Sequence, residues 1–350
     1  MHTETITLQR KPDGVPVEAD FQLTSTTLPD AEFIAPGQVL VRVLALSLDP
    51  YLRSAMAGRH MSGTIHPGEV VRGEGLVEVL ASRNPRMAPG QRWVAACGWR
   101  SHAVLDAPAV EQARSVDAAL QPPTLALGGL GMPGLTAWAG FHRLCEARPG
   151  ATLVVSAAGG AVGATVGQLA RLAGCRVVGI AGGAAKCAWV TEVAGFDACI
   201  DHHTQDLRQA LQAHCPQGVD IYFDNVGGDT LQAVVEQLAL HARVVLCGLA
   251  AQYNATATAI PAAQPAGPNP AWFIKARATV RGLVVYDHWA DLPLMQAELG
   301  AHHRAGRLHF REDVSHGLAS APTAFCRLMR GENQGKAIVT LQPTPQGNPL

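Results

Sequence analysis

The sequence predicts a chain of mixed class, α/β plus β: a compact, barrel-like β unit followed by a doubly wound α/β unit on a parallel sheet. Three observations carry this reading. The 350 residues are 48% hydrophobic and only 16% charged, enough apolar material for two cores. The first third holds short strand-like runs broken by Pro/Gly turns. From about Leu130 onward such runs alternate with helical patterns, as βαβ units require.

In the first third, VLVRVLALS (39–47) is the strongest strand candidate, followed by EGLVEVL (74–80) and QRWVAACG (91–98). The pattern changes at Leu130-Gly131-Met132-Pro133-Gly134-Leu135-Thr136. Strand candidates follow at 151–157, 175–181, 198–200, 219–225, 242–248 and 280–286. Several are continuous Val/Ile/Leu runs, which suits strands buried on both faces. Helical patterns lie between them at 161–173, 184–194, 204–214 and 229–239. The segment AIPAAQPAGPNPAW (259–272) is too rich in proline for a helix or a central strand. It reads either as a plain surface connection or as a mobile loop over an active site. KAIVTL (336–341) is the last strand candidate.

The formal net charge of −1 gives no electrostatic reason to expect nucleic acid or an anionic membrane as partner. The N-terminus is polar, and no apolar run reaches membrane-spanning length, so the cytoplasm is the expected compartment. The eight cysteines form no CxxC pair and read as buried small hydrophobes.

Ala157-Ala158-Gly159-Gly160-Ala161-Val162-Gly163 follows a strand and opens a helix. In that setting Gly160 lets backbone approach a pyrophosphate, and Gly163 with Gly167 lets the helix pack closely on the sheet. The phosphates would sit at the helix N-terminus, where N–H groups and the dipole favour negative charge. The next strand runs into Ile180-Ala181-Gly182-Gly183-Ala184-Ala185-Lys186, with no carboxylate to bind a ribose 2′-hydroxyl. A cation there suits the extra phosphate of NADP. Asn225, in FDNVGG, ends a strand where such folds bind ligands, and its amide could meet the nicotinamide ribose or carboxamide; it also suits a simple turn before Gly-Gly. No metal is expected. Cys97 and the N-terminal histidines lack ligand spacing, and the pairs His202-His203 and His302-His303 read as solvated surface.

Taken with the segments LSLDPYLRSAM (46–56), GMPGLTAW (131–138), GVDIYFDNVGGDTL (218–231), CGLAAQYN (247–254), RGLVVYD (281–287) and GENQGKAIV (331–339), the chain resembles the leukotriene B4 12-hydroxydehydrogenase/prostaglandin reductase family of zinc-independent medium-chain reductases. Curcumin-reductase-type proteins and plant alkenal double-bond reductases share the resemblance. It implies a GroES-like β-barrel-type domain, 1–127 completed by 305–350, joined to a Rossmann NADP-binding domain, 128–304. It further implies NADPH/NADP+ contacts at Thr136, Gly160, Ala161, Val162, Gly163, Gly182, Lys186, His202, Asn225, Cys247, Gly248, Tyr253, Leu283, Val285 and Asn333. Family members often carry Tyr where this chain has His202, and Ala where it has Gly159.

The implied reaction is reduction of the C=C bond of an enone or enal, in which negative charge develops on the carbonyl oxygen. A donor aimed at that oxygen stabilises the transition state more than the ground state. Of four tyrosines, Tyr222 lies in a buried strand candidate and reads as core, and Tyr286 ends another strand. Tyr253 is the expected donor or proton-relay residue and Tyr51 the expected substrate-orienting hydroxyl, although both positions also suit aromatic packing. Arg53 either anchors its loop or contacts substrate. Pocket walls are expected from 259–272 and 287–293, and a homodimer from the exposed strand 280–286. Quinone reduction, oxidation of a hydroxyl group and an idle NADPH-binding protein are the competing functions.

Overall fold

The computed structural model describes residues 1–256 and 267–341. The chain divides into two compact units: Met1–Leu127 with Glu312–Asn333 and the strand from Ala337, and Gly128–Arg311 with Gln334–Lys336. The return to the first unit therefore begins at Glu312, not at residue 305. Residues 305–311 stay with the second unit because the Gln168 amide grips His309 at both ends of its peptide. Its oxygen accepts the His309 N–H at 2.7 Å, and its nitrogen donates to the His309 carbonyl at 2.9 Å.

The spine of the first unit is Val39–Ser47, in which every residue but Arg42 is buried. One edge pairs antiparallel with Gly75–Ser82. The other is shared by His102–Leu105 at one end and Lys336–Thr340 at the other. Two register shifts, at Leu40/Val41 and Val43/Ala45, add local bend and twist. The pair His2–Leu8 and Phe21–Thr27, which the sequence pattern did not single out, runs antiparallel over seven residues of each strand. Phe21 stacks on Trp99 at 5.8 Å, and Trp99 meets the edge of Phe325 at 5.5 Å, which ties that pair to the core.

The second unit holds six parallel strands: Thr152–Ser156, Arg176–Ala181, Ala198–Asp201, Val219–Asp224, Leu238–Leu246 and Thr279–Gly282. Numbered in chain order they lie 3-2-1-4-5-6. Val154, Val178, Ile200, Tyr222 and Val244 fill one face, packed by Leu211 and Val234 from the helices. The order reverses between the first and fourth strands, and ligands of such sheets bind at the carboxyl ends beside that reversal.

Two predicted elements differ. The strand read as 280–286 stops at Gly282, because its neighbour ends at Leu246; the Leu283 N–H bonds the Leu246 carbonyl, and among the described residues the ladder continues no further. Val285–Asp291 turns as a 3-10 helix instead. The proline-rich segment contains the start of a helix, Pro270–Ala276. Proline stands at the first helical position, where its missing N–H costs nothing, and the Asn269 side chain accepts from the Ala271 N–H at 3.0 Å. Residues 259–266 of that segment lie outside the described residues. Among the described residues, no helix is long and apolar enough to cross a membrane.

Candidate functional site

The first strand ends at Ser156, and the chain turns through Ala157, at φ 51°, into the helix Ala161–Leu172. A Cβ on Gly163 would lie 2.4 Å from the Ala157 carbonyl oxygen, so only glycine lets the helix sit this close to the strand end. At Gly160 the same carbonyl would be 3.2 Å away. Gly167 serves a different contact: its bare face takes the ring of Phe196, not the sheet. No side chain caps the helix at Gly160, and the N–H groups of Ala161, Val162 and Gly163 are those a first turn leaves without helical acceptors. That is an anion cradle.

Across the reversal stands a buried carboxylate hub that the sequence reading missed. Asp224 is fully buried and accepts from Tyr222 Oη at 2.7 Å, Ser156 Oγ at 3.1 Å, and the N–H groups of Val226 and Gly227 at 3.0 Å each. Its carbonyl accepts from the N–H groups of Cys247, at 2.8 Å, and Gly248, at 3.1 Å. A Cβ on Gly248 would meet the Asn225 carbonyl at 2.7 Å. Asn225 itself donates its backbone N–H to Ser156 Oγ and its side-chain Nδ2 to the Ser156 carbonyl, both at 2.8 Å. The second bond fixes the orientation of the amide and leaves Oδ1 as the acceptor. The ends of strands one, four and five are thus locked into one rigid rim. Tyr222 is core, as its strand position predicts, and also a donor to Asp224; burial pushes its phenol well above the ordinary tyrosine range. Burial likewise pushes the Cys247 thiol up to about 12, so it is neutral.

The ends of strands two and three form the outer part of the rim. The methylenes of Lys186 pass 3.3 Å from where a Gly159 Cβ would stand, which brings this cation against the glycine loop. A Cβ on Gly182 would meet the His203 ring at 2.7 Å and His202 Nε2 at 3.0 Å. Both imidazoles are exposed, yet they converge on one glycine. Strand alternation does not separate them because the strand ends at Asp201. Asp201 Oδ1 accepts from the Gly183 and His203 N–H groups, at 2.9 and 3.1 Å, which hold its carboxyl below the usual range.

Thr136 lies on the helix Met132–Ala139, its hydroxyl donating to the Met132 carbonyl at 2.8 Å. Leu283 is buried and Val285 half-buried beside the sixth strand. Tyr253 ends the short helix Ala250–Tyr253 and is half-buried. Burial raises its phenol above the ordinary range, against the opposing hydrogen bond with the Leu249 backbone. Tyr51 and Asn333 belong to the first unit, both half-buried. Tyr51 opens the helix Tyr51–Met56, with its ring 4.8 Å from that of His60. Arg53 is an anchor: almost wholly buried, it donates to the carbonyls of Pro12, at 3.1 Å, and Gly14, at 2.8 Å.

Comparison with known proteins adds the family. Residues 4–113 match a family described as the N-terminal domain of oxidoreductase, and residues 161–299 one described as zinc-binding dehydrogenase. The chain is 38% identical to an NADPH-dependent curcumin reductase of Escherichia coli, with 95% of each chain covered. It is 36% identical to prostaglandin reductase 1 of Bos taurus, over 97% of this chain and 99% of that protein. It is 37% identical to an NADP(+)-dependent 2-alkenal reductase of Nicotiana tabacum, over 93% and 94%. A crystal structure of CurA from Vibrio vulnificus in complex with NADPH superposes with a TM-score of 0.88 at 37% identity, covering 97% of this chain and all of that one. The second family description implies a zinc ion, which the donor set does not fit. Among the described residues, no three His, Cys, Asp or Glu side chains are grouped to hold a metal, and burial pushes the Cys97 thiol up to about 12.

Proposed function

The chain belongs to the family of curcumin reductase, prostaglandin reductase 1 and 2-alkenal reductase, the zinc-independent medium-chain reductases, and from that premise we propose that it reduces the C=C bond of α,β-unsaturated ketones or aldehydes. It is an NADPH-dependent oxidoreductase with a Rossmann domain. The observation that supports the reading is the rim itself: a helix N-terminus that glycine at 163 lets sit against the strand end, and an amide held by the last residue of that same strand, Ser156.

The residues fit the cofactor. The N–H groups of Ala161 to Gly163, with Gly160, would receive the pyrophosphate, and Gly182, Lys186 and His202 the adenosine 2′-phosphate. Asn225, Cys247, Gly248, Leu283, Val285, Thr136 and Asn333 would hold the nicotinamide half. When bound, the reduced nicotinamide supplies hydride. The chain's own contribution is a donor for the oxygen on which charge develops. Tyr253 suits that role because burial keeps its phenol protonated, and Tyr51 would orient the substrate carbonyl.

The test is NADPH consumption over a panel of small enals, cyclic enones, aryl dienones and quinones. Turnover of enones with loss of the double bond, seen by mass spectrometry, is expected. Turnover of quinones alone would give the function to quinone reduction, and no turnover at all would leave an NADPH-binding protein. The exposed edge strand Thr279–Gly282 supports a homodimer.

A further inference from the structure

Gly182 is crowded from one side by two imidazoles. Their ring centroids are 4.5 Å apart at an interplanar angle of 78°, so the rings meet edge to face and present nitrogens at different angles. Lys186, from the helix Ala184–Glu192, supplies the other cationic side chain at this corner. The one carboxylate that acts on His202, Asp201, is already held by two backbone N–H groups. The two imidazoles and the Lys186 ammonium can each donate a hydrogen bond here, and the Asp201 carboxylate is already engaged as an acceptor.

We propose that His202, gaining a proton, and His203 beside it, as a second hydrogen-bond donor, clamp the 2′-phosphate, making the preference for NADP(H) over NAD(H) increase as the pH falls below neutrality. The inference rests on the cofactor assignment above and adds to it the residue His203 and the pH dependence.

The sign follows from linkage. In the free protein, crowding by the surrounding chain and then His203 hold the His202 imidazole below its ordinary value, with Lys186 acting in the same direction and Asp201 opposing. At pH 7 the imidazole is therefore neutral. A bound phosphate favours the charged ring and raises its pKa, so binding takes up a proton in the window between the two values. NAD(H), which lacks the phosphate, draws no such proton. The phosphate has its own transition near pH 6 and weakens as it loses its second charge, so the histidine contribution must be isolated by variants. His202→Gln and His203→Gln keep a hydrogen-bonding side chain at exposed positions but cannot titrate.

The experiment is calorimetric titration of NADP+ and of NAD+ into the intact protein between pH 5.5 and 8.5, in two buffers of different ionisation enthalpy. The wild type should take up protons with NADP+ and not with NAD+. Its NADP+/NAD+ affinity ratio, divided by that of the His202→Gln/His203→Gln protein, should grow roughly three- to tenfold from pH 8 to pH 6. Identical pH profiles for the two proteins overturn the clamp while leaving the cofactor site standing. Equal affinity for NADP+ and NAD+ at every pH, with no effect of Lys186→Ala, overturns the cofactor assignment and the clamp with it.

Discussion

At the residue scale the proposed reduction turns on the Tyr253 hydroxyl, and the rim on the Asp224 carboxylate. Tyr253 is held protonated by burial, so its donor capacity is complete below its raised pKa and is lost only as pH climbs through it. Turnover should therefore show no tyrosine-linked decline up to about pH 10, the unperturbed value. Tyr253→Phe should lower kcat by roughly tenfold or more, with NADPH affinity within about twofold of wild type. An unchanged kcat removes the assignment. Asp224 shares Ser156 Oγ with the backbone N–H of Asn225, the proposed nicotinamide contact. Asp224→Asn replaces a charge that collects four donors, so the protein should lose thermal stability. NADPH affinity should fall more than that for 2′,5′-ADP, which lacks the nicotinamide half. Equal losses for the two ligands would make Asp224 a merely structural residue. The place of Asn225 at a strand end was legible beforehand, but that place suits a turn before Gly-Gly as well as a ligand contact. Asp224 was not, although Tyr222 and Asp224 stand two apart, on one face of that strand, and the spacing alone allowed their contact.

At the scale of elements, close approach separates glycines that look alike in sequence. Gly163 and Gly167 lie on one helix, one turn apart, and both exclude a side chain. Gly163 meets backbone at the strand end, which cannot yield; Gly167 meets the Phe196 ring, which can shift only within a packed core. Both Ala variants should be destabilised, by about 1–3 kcal/mol as overpacked cores are. Gly163→Ala alone should also weaken NADPH binding, by about tenfold or more, since the helix N-terminus must move away from its ligand. Thermal unfolding with and without NADPH checks this: the shift on adding cofactor should be kept in Gly167→Ala and largely lost in Gly163→Ala. The alternation that marks parallel strands was readable because buried Val/Ile/Leu runs have one structural use here. The proline-rich stretch misled because proline opens a helix as readily as it breaks one, and the outcome depends on the Asn269 cap.

For the whole molecule, the class and the six-strand alternation follow from apolar spacing, which reports burial directly, whereas the division after Leu127 was implied by the resemblance. The amino-terminal strand pair was not legible, because His2–Leu8 and Phe21–Thr27 are rich in Thr and gain their place from Trp99 and Phe325, distant in sequence. The proposed homodimer rests on the far edge of the parallel sheet. Thr279–Gly282 is exposed at every position, and among the described residues it pairs only with Leu238–Leu246. The Leu283 N–H points to that neighbour, so by strand alternation the Val280 N–H faces outward. A second copy related by a two-fold axis could use that donor and continue the sheet. Val280→Pro removes the outward donor and spares the inward ladder. Light scattering should then give a wild-type mass twice that of the chain and a variant mass equal to it. A monomeric wild type ends the proposal, and a variant that stays dimeric moves the interface away from this strand.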